Sequence, residues 1–238
     1  MTILQNHFID LKNQAEKSGL PCFTDFLGLA EQNELNMVFH KNDYNSYGGY
    51  DTAERIIACF GAGEEEFPIS YIQISPKNQK FADKLSHRDF LGALINLGIE
   101  RNVLGDIVIK DNVGYLICLN TISKYICENL TKVKHTSVEC KIVETIPTDI
   151  LPAGECKEYI SSSLRLDAVI SSVYKMSRND SKKLFLKDLV FVNGVNKEAT
   201  YLLKENDIIS VRGYGRIEYL ATLRQTGKGR LVVQIKKS

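Results

Sequence analysis

The order of strand and helix signals between Ile69 and Ile142 constrains the fold of this chain more than any other feature. Ile69 to Ile74 is an apolar, strand-like run closed by Ser75-Pro76. Ser86 to Leu97 carries Phe90, Leu91, Leu94 and Ile95 on one helical face, with Gly98 as a stop. Val103 to Ile109 and Tyr115 to Leu119 read as two strands about the turn Asp111-Asn112-Val113-Gly114. Ile122, Tyr125, Ile126 and Leu130 form a helix stripe, and Val138, Cys140 and Ile142 alternate as a last strand. The order βαββαβ predicts a ferredoxin-like, split βαβ domain. That plan hosts many functions and decides none of them. An RNA-recognition module built on it stacks bases on aromatics of the central strands. Tyr71 and Tyr115 are candidates for that role, but no basic, glycine- and aromatic-rich run accompanies them.

The flanks have different signatures. Upstream, Phe8, Leu11 and Ala15 recur at helical spacing. Thr24 is placed to cap a second helix through Phe26, Leu27, Leu29, Ala30 and Leu35. A polar stretch from Tyr44 to Tyr50 follows, and Ala53, Ile56 and Ile57 suggest a short third helix. Gly61 to Glu66 reads as a linker, as does Leu151-Pro152-Ala153-Gly154. Downstream, Ser161-Ser162-Ser163 precedes an amphipathic helix marked by Leu166, Val169, Ile170 and Val173. Ser177 starts another helix, and Val190, Val192, Ile208, Ile209 and Val211 mark short strands. The alternating runs from Ile217 to Leu223 and Leu231 to Ile235 predict a hairpin through Gln225 to Arg230. The expectation is an α+β chain of three domains. These are a mostly helical head over 1–75, a ferredoxin-like middle over 76–155 whose first strand starts near 69, and a tail over 156–238.

The formal net charge of +1 conceals an asymmetry. Residues 1–75 carry 4 basic and 11 acidic side chains, residues 76–160 carry 11 of each, and residues 161–238 carry 15 and 7. An acidic head and a basic tail with net +8 suggest a nucleic-acid partner for the tail and a protein partner for the head. No apolar run approaches the ~18 residues a membrane helix needs, and no signal peptide is apparent, so a cytoplasmic protein without a membrane contact is expected. The six cysteines form no C-x-x-C pair and the four histidines are scattered, so buried reduced thiols are expected, with no metal and no cofactor.

Two tempting motifs fail on context. His87-Arg88-Asp89 lacks the asparagine, glycine-rich loop and strand lysine of a kinase. Ser86-x-x-Asp89 reads better as a helix cap. Lys175-Met176-Ser177-Arg178-Asn179 looks like a synthetase nucleotide loop without its partner motif, and Ser177-x-x-Asp180 is again a cap. What remains is cationic. On the helix that starts at Ser177, the residues Ser177, Ser181, Leu184 and Phe185 share one arc, expected to pack, while Arg178, Lys182, Lys183 and Lys187 spread over the opposite half. Arg165 opens the preceding helix, and Asn193-Gly194 forms a turn after a strand. Arg212-Gly213-Tyr214-Gly215-Arg216 and Thr226-Gly227-Lys228-Gly229-Arg230 set cations beside glycines, which permit close backbone approach to phosphate.

Leu164-Arg165-Leu166-Asp167, Ser177-Arg178 and Val190-Phe191-Val192-Asn193-Gly194 together resemble the S4 RNA-binding domain. Ser181 stands where that family has a small alanine, and Asp188 stands where it has glycine. The likeness extends upstream. Gly48-Gly49-Tyr50-Asp51-Thr52-Ala53-Glu54-Arg55, His87-Arg88-Asp89-Phe90-Leu91-Gly92-Ala93-Leu94, Gly105-Asp106-Ile107 and Arg212-Gly213-Tyr214-Gly215-Arg216 resemble the bacterial YlmH family over essentially the full chain. That resemblance implies an N-terminal domain, an RNA-recognition-like middle and an S4 tail. It also implies a role on the large ribosomal subunit, holding rRNA and tRNA during rescue of stalled nascent chains.

The expected function is non-catalytic RNA binding through Arg165, Ser177, Arg178, Asn179, Lys182, Lys183, Lys187, Asn193, Arg212, Arg216, Lys228 and Arg230. Two alternatives are an RNA-modifying enzyme with an S4 appendage, for which Asp51 and Asp89 are the carboxylates to test, and a cell-division-linked adaptor acting through the acidic head.

Overall fold

A computed structural model describes residues 1–40, 42–61, 66–151 and 155–237. The chain forms two compact units, Met1–Leu151 and Pro152–Ser238. The expected linkers at Ala62–Glu65 and Pro152–Gly154 lie outside the described residues. No helix among the described residues is long and apolar enough to cross a membrane.

In the first unit, helix α1 (Ile3–Ser18) begins with a reciprocal cap. Gln5 donates its N–H to the Thr2 hydroxyl at 3.1 Å, and its side-chain oxygen accepts the Thr2 N–H at 3.0 Å. It ends at Gly19, which takes the left-handed conformation with φ 67. Strand β1 (Cys22–Phe23) and helix α2 (Leu29–Val38) follow. Then come β2 (Asn45–Tyr47) and β3 (Ile57–Phe60), and the three strands pair in the order β1-β3-β2. The head is therefore not mostly helical, and the expected third helix is strand β3. All four β3 residues are buried. Ile57 packs toward the middle sheet while Ala58 and Phe60 pack toward α1, a period of two rather than 3.6. A short, wholly apolar run is a buried strand as readily as a helix fragment, and burial on both sides decided it. Thr24 is not a helix cap either. Its hydroxyl accepts the Ala58 N–H at 2.9 Å and donates to the Asp25 carbonyl at 2.8 Å.

The middle segment has the expected element order. It runs β4 (Ile69–Pro76), α3 (His87–Asn96), β5 (Leu104–Lys110), β6 (Val113–Leu119), α4 (Asn120–Asn129), β7 (Lys132–Val133) and β8 (Thr136–Val143). The sheet order is β5-β6-β4-β8-β7, with β7 an added strand that hairpins onto β8. One sheet face carries α3 and α4 over a core of Ile72, Ile74, Phe90, Leu94, Leu116 and Ile126. On the other face, Val108 and Ile117 join Phe26, Tyr50 and Ile57 of the head in one cluster, so the head and the middle share a core.

The second unit holds β9 (Glu155–Ser161), α5 (Leu166–Val173), α6 (Arg178–Leu186), β10 (Val190–Val192), β11 (Val195–Asn196), β12 (Asp207–Val211), β13 (Gly215–Gln225) and β14 (Leu231–Lys237). Its sheet order is β11-β10-β12-β13-β14-β9, and the expected hairpin is β13–β14. Strand β9 escaped the sequence because its residues are mostly exposed and show no apolar alternation; pairing with β14 along its whole length defines it. Leu166, Val169, Ile170 and Leu184 close the core over the sheet. All six cysteines are free. Cys59 and Cys118 are buried, but Cys22, Cys127 and Cys140 are half-buried and Cys156 is exposed, so the expectation of buried thiols fails for four of them. Burial pushes the Cys118 thiol up to about 12.

Candidate nucleic-acid interface

Helix α6 is positioned from its first residue. The Ser177 hydroxyl accepts the Asp180 N–H at 3.1 Å and donates to the Asp180 carboxylate at 2.7 Å, which fixes the start of the helix. Ser181 and Leu184 are buried beneath it. The Ser181 hydroxyl donates to the Asp167 carbonyl at 3.0 Å, so the polar atom gained relative to alanine is satisfied. The opposite face is left to solvent. Arg178, Asn179, Lys182 and Lys187 are exposed there. Arg178 donates to the Ser162 hydroxyl beside the end of β9. Among the described residues, Lys182 and Lys187 have no ion pair.

Two expected phosphate ligands are engaged within the protein. Lys183 pairs with Asp180 at 2.7 Å. Arg165 makes two 3.0 Å hydrogen bonds to the two oxygens of Asp167, whose side chain is only 4% exposed. Burial raises the Asp167 pKa, but the hydrogen bonds and charge of Arg165 outweigh it, and the carboxyl titrates below its ordinary value. Arg165 is thus a half-exposed lid over a buried carboxylate.

Asn193 is also structural. It adopts φ 50, accepts the Ile208 N–H at 2.9 Å and donates to Asp207 at 2.8 Å. Asp207 further accepts from the Tyr201 hydroxyl at 3.1 Å and the Lys204 N–H at 2.8 Å. The turn predicted at Asn193-Gly194 is held by these bonds.

The two glycine-flanked cation clusters lie at opposite ends of β13. Arg212 is exposed in the β12–β13 turn, with its guanidinium 4.7 Å from the Phe191 ring centroid, and Arg216 lies just inside the strand. Lys228 and Arg230 are exposed in the β13–β14 turn, closed by the Arg230 N–H to the Thr226 hydroxyl at 3.0 Å. An 11-residue strand spans roughly 35 Å, so the two clusters cannot form one small patch.

Tyr214, between Arg212 and Arg216, carries a feature the cation-centred reading missed. It is 50% exposed and its ring centroid is 5.5 Å from that of Tyr174, over which Lys237 sits at 5.2 Å. An aromatic between flanking cations was visible in Arg212-Gly213-Tyr214-Gly215-Arg216, and it sets a half-exposed aromatic ring between two arginines.

In the first unit, the carboxylates named for catalysis are ordinary. Asp89 accepts the Ser86 N–H at 2.8 Å and its hydroxyl at 2.7 Å, as the capping reading expects, and these bonds lower its pKa. Asp51 is exposed in a turn. The carboxylate that organises the region is Asp106, which the sequence reading placed in the Gly105-Asp106-Ile107 motif without giving it a role. It accepts from the Tyr50 hydroxyl at 2.8 Å, the Glu54 N–H at 2.6 Å and the Arg55 N–H at 3.2 Å. Burial pushes its pKa up against those three bonds. Arg55 in turn donates to the carbonyls of Leu104 at 2.8 Å and Phe26 at 2.7 Å. The motifs Gly48 to Arg55 and Gly105-Asp106-Ile107 are therefore two halves of one joint between the head and the middle sheet.

Residues 63–146 match the family model described as "Putative RNA-binding domain in YlmH". The chain is 34% identical over 200 residues to the "Ribosome-associated protein quality control protein P2" of Bacillus subtilis (strain 168), covering 81% of this chain and 78% of that one. A solved structure titled "Cell division protein ylmH from Streptococcus pneumoniae" aligns with 60% of this chain and 93% of that chain, at 23% identity and a TM-score of 0.47.

Proposed function

Since this chain belongs to the YlmH family, we propose that it is a non-catalytic, cytoplasmic RNA-binding protein that works at the ribosome. Its C-terminal unit is the principal RNA-binding element, an S4 domain that contacts rRNA and tRNA on the large subunit during rescue of stalled nascent chains. The observation that carries this reading is the exposed face of α6. There a satisfied cap and the buried Ser181, which bonds the Asp167 carbonyl of α5, leave Arg178 and Lys182 on one flank of α6 and Lys187 just past its C-terminal end, all exposed and without ion pairs among the described residues. Unpaired cations on a rigid helix give up little when they meet phosphate, because no internal salt bridge has to break. The name of the Bacillus subtilis relative supports the ribosome as the place of action. Arg165, Lys183 and Asn193 hold that surface in shape and leave the phosphates to their neighbours.

The test is sedimentation with purified large subunits. The wild-type chain is expected to co-sediment, and Arg178→Glu with Lys182→Glu is expected to abolish it while the melting temperature stays unchanged. Co-sedimentation of the double variant at wild-type level would overturn the reading.

A further inference from the structure

The middle segment has the topology of modules that stack bases on the open face of their sheet, but in this chain that face is closed. Tyr71, the central aromatic of β4, donates its hydroxyl to the Gly49 carbonyl at 2.9 Å. Burial is the main cause that raises its pKa. Gly49 lies so close that a Cβ there would meet the Ile117 Cδ1 at 2.8 Å and the Tyr71 ring at 3.1 Å. Tyr115, the second aromatic, packs half-buried at the edge of the same cluster, with the Gln73 amide 3.4 Å from its hydroxyl. The space a stacked base needs is filled by the head.

The opposite, helical side is open and cationic. A groove of about 460 Å³ runs between α3 and the β7–β8 hairpin, lined among others by Arg88, Asp89, Gly92, Asn96, Lys132 and Lys134. Arg88, Lys132 and Lys134 are exposed and have no ion pair among the described residues. The one carboxylate, Asp89, is held by the Ser86 N–H and hydroxyl and is also attracted by the nearby charge of Lys134, which offsets part of that lysine's charge. Gly92 faces the groove from α3, and a Cβ placed on it would meet nothing within 4 Å, so the helix backbone is open to close approach. Lys134 is held on the two-residue hairpin turn at φ 56, which fixes where its side chain starts.

We propose that this groove, and not the sheet face, is where the middle segment meets RNA, with Arg88, Lys132 and Lys134 on backbone phosphates. The contact reads backbone shape rather than stacked bases. The proposal rests on the RNA-binding reading above and adds a second contact, separate from α6.

The test uses the full chain and deproteinised ribosomal RNA in filter binding across a salt series. The triple variant Arg88→Glu, Lys132→Glu, Lys134→Glu is expected to bind at least about tenfold more weakly near 0.1 M salt and to lose roughly 2–3 from the slope of log K against log salt. Gly92→Leu, which fills the groove without changing charge and raises helix propensity, is expected to weaken binding too. Tyr115→Ala is expected to leave affinity unchanged. Wild-type affinity in both groove variants, or a larger loss in Tyr115→Ala, overturns the inference and leaves α6 as the binding surface. Failure of the wild-type chain to bind the RNA overturns the functional reading itself. Normal binding of naked RNA by the triple variant, together with lost co-sedimentation with subunits, assigns the groove to an acidic protein and overturns the RNA assignment.

Discussion

Single residues here separate cations left open to solvent from cations that hold the fold. Arg165 covers Asp167, so its loss is a matter of stability. The folded Asp167 pKa is depressed, so the pair stabilises the protein above the unfolded carboxylate value of about 3.9 and stops doing so as pH falls through the lower folded value. Arg165→Ala is therefore expected to lower the melting temperature at pH 7, with the difference from wild type shrinking as pH falls below ~4. A variant whose deficit persists undiminished in acid would contradict this, as would one with unchanged stability at pH 7. Asp188 shows the reverse situation. It occupies φ 51 just beyond α6, where glycine carries no Cβ penalty. Asp188→Gly is expected to stabilise by about 0.5 kcal/mol in a denaturant titration, net of its larger unfolded-state entropy and the lost 3.3 Å contact from Asn196. Asp106 is a buried carboxylate that accepts three hydrogen bonds across this joint. Asp106→Ala removes its bonds to the Tyr50 hydroxyl and to the N–H groups of Glu54 and Arg55, and a loss of about 3 kcal/mol is expected by the same measurement.

At the scale of elements, α6 was legible in large part. Its cap and exposed cations follow from residues within four positions of one another and the structure returns them, but of the expected packed arc only Ser181 and Leu184 are buried, while Phe185 is half-buried and Ser177 is exposed. The phosphate count was not legible. Of the four cations assigned to this helix, Lys183 is paired with Asp180, which leaves three, Arg178, Lys182 and Lys187. Their combined contribution to the salt slope of RNA binding is expected to be about −2 to −3. Converting all three to alanine should therefore remove that much from the slope, and an unchanged slope would exclude them from phosphate contact. Strand β3 shows the converse failure. Ala53, Ile56 and Ile57 matched a helix at three points, but Ile57 to Phe60 faces two cores in alternation. Short apolar runs carry too few residues to show a period, and only the second core revealed it.

At the scale of the molecule, the chain divides at Leu151 rather than into three equal partners, because the head closes the second face of the middle sheet. The seal depends on Gly49, at φ 99 and pressed against Ile117 and Tyr71. Gly49→Val is expected to lift the head from the sheet, with limited proteolysis cutting between the head and β4 well before wild type is cut. Resistance equal to wild type would show that the joint tolerates the side chain. This packing also explains why aromatics on the central strands were a misleading sign of base stacking. Tyr71 lies where such a residue belongs, but its hydroxyl and ring are used to hold the head.

The sequence by itself determined the element order of the middle segment, the cap and cationic arc of α6, the β13–β14 hairpin, and the opposition of acidic head to basic tail. Those properties depend on period, turn chemistry and charge within a few residues along the chain. Tertiary structure alone decided which charges are engaged and which surfaces are open. Asp106 meets Tyr50 across 56 positions and Arg55 meets the Phe26 carbonyl across 29, and β13 sets its two cation clusters at opposite ends. A charge becomes a binding group only when nothing inside the fold has already neutralised it, and partners that far away in sequence leave no local trace.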